Sequence, residues 1–174
     1  MTSDTVKSWA KDIAIAVVIA VLILQVIRPT IVKEHSMLNT LNENDYLIVS
    51  KQAYLFNPPH YKDIIVFKSK LTTDDGKNKL LIKRVIGLPG ETIQISDGKV
   101  YIDGKLLVED YTKDPITSGD VGPLLIPDGK LFVMGDNRGN SADSRDERVG
   151  LVDDKTIYGE AVFRLYPFNR IGTI

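Results

Sequence analysis

Asp97-Gly98 and Asp103-Gly104 stand between three short strand-like runs, residues 92–95, 99–102 and 105–108. A two-residue Asp-Gly loop fits the mirror-image turns whose twist matches that of paired strands. Runs of four residues between such turns are too short for helices, so this part of the chain predicts antiparallel hairpins. Similar short apolar runs recur at 46–49, 64–67, 131–134 (opened by Asp128-Gly129) and 157–166. Asn57-Pro58-Pro59-His60 breaks the chain between the first two of these, and residues 68–79, with Asp74-Asp75-Gly76, read as a loop. Residues 109–127, with Pro115, Gly119, Gly122 and Pro123, read as a polar excursion of low regularity. The pattern predicts a mainly β domain, a folded antiparallel sheet or barrel.

One stretch departs from it. Residues 13–27 read I-A-I-A-V-V-I-A-V-L-I-L-Q-V-I, apolar on every face of any helix they form. Such a helix spans roughly 22 Å at about 1.5 Å per residue. Trp9 suits a membrane interface, and Lys7, Lys11 and Arg28 can snorkel from its ends. The expected organisation is a tail and single transmembrane anchor over 1–28, then a β-rich domain over 29–174. A buried helix and a cleaved signal peptide are the rivals; no small-x-small cleavage site follows, because the run leads straight into Arg28-Pro29. Charge flanks both ends, so orientation rests on the short tail, which favours an inside N-terminus and an extracytoplasmic domain.

Composition removes several function classes. The chain has 174 residues, a net charge of −1, no cysteine and two histidines. That leaves no thiolate nucleophile or disulfide, no general attraction to nucleic acid, and too few histidines for most zinc sites. No metal or cofactor is expected.

Two segments carry chemistry. In residues 80–91, L-L-I-K-R-V-I-G-L-P-G-E, Lys83 and Arg84 are neighbours in a strand and point to opposite faces. A solvated edge pair is the plain reading. A lysine on an apolar wall instead loses hydration and its proton, and becomes a general base. In residues 134–147, Asp136, Asn137, Arg138, Ser141, Asp143, Ser144 and Arg145 crowd one loop. It is not a calcium loop, since Arg138 takes a ligand position and Ser141 the glycine position. Its carboxylates can pair with Arg84 and its hydroxyls can hold Lys83. Ser36, just beyond the apolar run, has His35 beside it, but adjacent side chains of an extended segment diverge, which argues against a Ser-His pair.

Taken in order, the apolar run, Ser36-Met37-x-x-Thr40-Leu41, Asp63-Ile64-Ile65-Val66-Phe67, Lys83-Arg84-Val85-Ile86-Gly87-x-Pro89-Gly90-Glu91 and Gly135-Asp136-Asn137-Arg138-x-Asn140-Ser141-x-Asp143-Ser144-Arg145 resemble the type I signal peptidases. These are membrane-anchored serine proteases with a Ser-Lys dyad. The resemblance implies that Ser36 is the nucleophile and Lys83 the general base, that Ser141 orients the amine, that Asp136 pairs with Arg84, and that Asp143 and Arg145 support the loop. It implies secretory preproteins as substrates, cut after small-x-small sites, and a bilayer as the setting. Ile82 and then Met37 are the candidate walls of the substrate pockets. Three departures stand out: Asn39 where the family usually has Pro, Glu34 where it tends to have Ser or Gly, and Tyr61-Lys62-Asp63 for Arg-Gly-Asp. Glu34 is expected to face away from the developing oxyanion. The rival readings are an inactive, membrane-tethered β-module that binds extended peptides and a self-cleaving Ser-Lys repressor, the latter opposed by the apolar run.

Overall fold

The structure, a computed structural model, describes residues 3–174, with the side chains of 3–6 and 22–24 outside the description. One helix, α1 (Ser3–Val26), leads directly into twelve strands: β1 (Ile27–Ile31), β2 (Tyr46–Ser50), β3 (Ile64–Thr72), β4 (Asn78–Gly87), β5 (Thr92–Ser96), β6 (Lys99–Ile102), β7 (Lys105–Leu106), β8 (Val121–Leu125), β9 (Lys130–Met134), β10 (Val152–Asp153), β11 (Ile157–Tyr166) and β12 (Gly172–Thr173). The protein is mainly antiparallel β with one helix, as the turn spacing predicts.

The larger sheet runs β1-β2-β11-β3-β4-β9-β10, with β12 added to β11. The smaller runs β7-β6-β5-β8. Alternation decides which faces are buried: Leu47 and Val49 of β2, and Ile93 and Ile95 of β5, point inward while their neighbours are partly or fully exposed. The Asp-Gly turns take the expected form, with φ of 51° and 72° at Asp97 and Gly98 and of 49° and 74° at Asp103 and Gly104. Apolar side chains gather in three places. Ile65, Phe67, Leu81, Val85 and Val133 cover one face of the large sheet. Ile86, Phe132 and Met134 meet Ile93, Ile95 and Val100 of the small sheet. Val32, Met37 and Leu41 pack on Leu47, Ile64 and Ala161.

β4 is the hinge of the arrangement. It pairs with β3 through Ile65↔Lys83 and Ile64↔Arg84, and on its other edge with β9 from Arg84 onward. Residues 78–83 have no strand on that second edge among the described residues.

Four details differ from expectation. β3 continues to Thr72 and β4 starts at Asn78, so the polar stretch 68–79 is mostly a hairpin arm, its turn at Gly76 (φ 76°). The third hairpin run shortens to Lys105–Leu106. β8 lies inside the segment read as irregular, and β1 begins at Ile27, within the apolar run. Gly122 and Pro123 in β8, and Pro29 in β1, disguise both strands. Each strand ends its sheet, where a missing N–H can face solvent.

α1 carries aliphatic side chains in the open: Ile13, Ile15, Val17, Val18, Ile19 and Val21 are all about half exposed, on every side of the helix. Among the described residues no helix is long and apolar enough to cross a membrane. The side chains at 22–24, part of the expected apolar run, lie outside the described residues.

Candidate active site

Three segments converge on the inner end of β4. The first follows β1: Val32 enters the core, and residues 36–41 close into tight turns through Thr40 N–H and Leu41 N–H, which donate to the Met37 carbonyl at 3.1 and 2.7 Å. Burial of Met37 and Leu41 holds these turns against the sheet and leaves Ser36 at their start, 8% exposed. The second is β4 itself, which delivers Lys83. The third is the loop after β9. Its Asn137 N–H donates to the Ser36 carbonyl and its Asn137 side-chain amide to the His35 carbonyl, each at 2.9 Å.

Lys83 Nζ lies 2.7 Å from Ser36 Oγ and donates to the Ile82 carbonyl at 3.0 Å. The lysine is 1% exposed. Burial lowers its pKa from 10.5 to about 8; Asp143, Glu34 and Asp136 oppose that fall and the Lys79 cation assists it. A weakly held proton on an amine in contact with a hydroxyl is the arrangement that general-base activation of a serine requires.

The neighbouring Arg84 turns to the other side. It grips Asp136 with two parallel hydrogen bonds of 2.9 and 2.7 Å, donates to the Lys62 carbonyl at 2.8 Å, and lies 4.1 Å from the centre of the Tyr111 ring. Thr40 Oγ1 donates to the same carboxylate at 2.5 Å, so the turn carrying Ser36 is tied to the Arg84–Asp136 pair. Arg145 holds Asp143 through bonds of 2.9 and 2.8 Å, and Asp143 accepts from Gly135 N–H at 3.0 Å. Burial alone raises the Asp143 carboxyl; the Arg145 guanidinium and the Gly135 N–H outweigh it and leave the pKa below the usual carboxylate range.

Ser141 is placed differently from expectation. Its hydroxyl is buried beside the Asp143 carboxylate, which it helps to hold in the charged form, and it does not bond the lysine amine, which takes the Ile82 carbonyl of its own strand instead. The Ser141 hydroxyl packs against Gly135, where an added Cβ would collide with Ser141 Oγ and with the Ser36 carbonyl. Gly135→Ala is therefore expected to push these segments apart and lower catalytic efficiency by about ten- to a hundredfold, the equivalent of an overpacked core. Steady-state kinetics of a folded Gly135→Ala protein check this.

Ile82 and Met37, the expected pocket walls, both line a groove of about 650 Å³ that reaches Ser36. Val32, Val66 and Leu80 extend its apolar lining. Glu34 is drawn into an ion pair with Lys79. His35 lies 3.5 Å from Glu43 and His60 3.9 Å from Asp63, so each imidazole is engaged away from the Ser36 hydroxyl. Asn39 sits at φ 92°, a conformation closed to proline, and its amide donates to the Thr112 carbonyl at 3.2 Å.

Sequence reasoning gave no role to two residues that shape the site. Asn137 clamps the Ser36 segment. Arg138, 1% exposed, ion-pairs with Glu109, donates to Thr117 Oγ1 at 2.6 Å and to the Gly135 carbonyl at 3.1 Å. Only the density of the loop hinted at either, because Glu109 and Thr117 lie in a segment with no periodic pattern.

The family model described as "Signal peptidase, peptidase S26" matches residues 6–166. The chain belongs to the signal peptidase family, peptidase S26. A signal peptidase I of Leptolyngbya laminosa is 43% identical over 168 residues, 94% of this chain and 81% of that one. A signal peptidase I of Bacillus licheniformis is 39% identical over 178 residues, covering 97% and 92%. The crystal structure of a signal peptidase I from Enterococcus faecalis V583 aligns with a TM-score of 0.50 and 34% identity, over 60% of this chain and 97% of that one. In this signal peptidase chain the four sequence blocks are thus brought to one place: the Ser36 turn, the 63–67 strand paired with β4, the Lys83–Arg84 stretch of β4 and the 135–145 loop, with Ser36 reaching the groove.

Proposed function

We propose that this chain is a serine endopeptidase that removes N-terminal signal peptides from exported preproteins after small-x-small sites, with Ser36 as nucleophile and Lys83 as general base. The observation that carries the reading is the buried Lys83 amine, 2.7 Å from Ser36 Oγ.

The neutral amine takes the Ser36 proton as Oγ attacks the scissile carbonyl carbon. The C=O electron pair moves to oxygen, and the Ser36 backbone N–H is the donor proposed to meet that oxyanion. On collapse, the C–N bond breaks and the new ammonium of Lys83 returns the proton to the departing amine. The same lysine then deprotonates a water that attacks the acyl-enzyme, which frees the signal peptide and restores Ser36. Substrate would add as an extended strand along the unpaired edge of residues 78–83, sending alternate small side chains into the lining of Ile82, Met37, Val32 and Val66. Asp136 and Arg84, with Asp143 and Arg145, hold this geometry rather than react. Ser141 joins them in this reading by turning its hydroxyl to the amine when substrate binds.

Residues 1–28 are proposed to place the domain at the outer face of the cell membrane as a single-pass anchor. The exposed aliphatic side chains on all sides of α1 support lipid as its surroundings.

Activity should depend on pH in one direction. Lys83 works only when deprotonated, and its pKa is lowered to about 8. The acid limb of kcat/KM is expected to rise through about pH 8, well below the range of a free lysine; a rise delayed to pH 10 would mean a hydrated amine. The direct test is preprotein cleavage in detergent with sequencing of product N-termini. Ser36→Ala should leave the preprotein intact, while His35→Ala and His60→Ala should cut at wild-type rates. Tight peptide binding without cleavage by the wild-type chain would favour the binding-module reading instead.

A further inference from the structure

The groove has two walls. One is the segment from Val32 to Met37 and the other is the open edge of β4 from Lys79 to Ile82. Glu34, two residues before Ser36, and Lys79, four residues before Lys83, form an ion pair that joins these walls. Both side chains keep partial exposure, 44% and 37%, so the pair lies at the mouth rather than in the core. We infer that the Glu34–Lys79 ion pair is a gate across the substrate groove, which an incoming peptide must open before it can lie along β4.

This inference rests on the peptidase reading of the groove and extends it to entry. A peptide pairing with the edge of residues 78–83 must pass between the walls that the two side chains bridge. Val32 and Met37 of the facing wall are packed into the core with Leu47 and Ile64, so that wall is fixed. Opening the gate separates two partly hydrated charges, and exposed pairs of this kind are weak. The gate therefore taxes binding modestly and is sensitive to salt.

The test uses Glu34→Gln, Lys79→Met and the charge swap Glu34→Lys with Lys79→Glu in the full chain. Kinetics are measured on a preprotein at a pH above the Lys83 titration, so that the lost charges do not act through the base. Each single variant is expected to lower KM by roughly two- to fivefold, the range set by a weak surface pair, with kcat unchanged. Raised salt should lower KM for the wild type and not for the single variants, and the swap should restore wild-type KM. A KM that rises in either variant, stays unchanged, or falls in only one of them overturns the gate. Affinity for a peptide spanning the cut site, measured in the Ser36→Ala background, gives the same readout without chemistry. If the wild type cuts no preprotein, the peptidase reading fails, whereas the gate still stands or falls on those peptide affinities.

Discussion

Lys83→Met is expected to abolish cleavage and at the same time to stabilise the protein. Loss of a general base costs about 10²–10⁴-fold, and the proposed mechanism uses the same amine for both acylation and deacylation, so a fall of at least about a thousandfold is expected. The stability gain follows from linkage. An unfolded lysine holds its proton up to about pH 10.5, while folded Lys83 holds it only to about pH 8. Below pH 8 both states are charged, and folding bears the full cost of drying the ammonium. Between pH 8 and 10.5 the unfolded state binds more protons, so stability climbs with pH; above that window the term is gone. A shift of that size corresponds to about 3 kcal/mol. Methionine matches the lysine stem without the charge, so denaturant melts should favour the variant by up to about 3 kcal/mol at pH 7 and by little near pH 11. A variant less stable than wild type at pH 7 would mean that the amine is not dry.

Asp136→Ala should do the opposite, unfolding the site without touching a reacting atom. Arg84 is 7% exposed and Asp136 fully buried, so removing the carboxylate strands a cation in the interior. Breaking a buried pair from one side costs about 3–5 kcal/mol, which for a chain of this size lowers Tm by roughly 10 °C. Thr40 loses its acceptor too, and the turn that presents Ser36 loosens. Calorimetry of Asp136→Ala beside the double variant Arg84→Met, Asp136→Leu separates charge from packing: the double variant should recover most of the lost Tm, because two apolar side chains leave no unpaired ion. Equal losses in both would assign the effect to shape alone.

The parts of the molecule that could be read from sequence are those governed by local rules. Asp97-Gly98 and Asp103-Gly104 demand a specific turn, and the alternation in β2 and β5 demands a buried face, so hairpins and β class were legible. Lys83 and Arg84 were legible as a pair with diverging fates, because neighbours in a strand cannot share an environment. β8 was not, because its Gly122 and Pro123 are tolerated only through its place at the end of a sheet, and that is a tertiary fact. The Arg138–Glu109 pair was hidden for the same reason: 29 residues separate its members, and no periodicity links them. Ser141 marks the limit of motif reasoning. The motif supplied a hydroxyl in the right loop, while the bond it was expected to make depends on how the lysine stem bends.

The second edge of residues 78–83, unpaired among the described residues, carries a hazard of its own. Backbone donors and acceptors waiting for one visitor will accept another copy of the same ribbon, and sheets with such borders tend to zip together into aggregates. The hairpin arm bordering this gap is dense in ammonium groups: Lys68, Lys70, Lys77 and Lys79 line the run from β3 to β4. Two such arms brought side by side would repel. With these lysines along its border, edge-to-edge pairing of two copies is disfavoured.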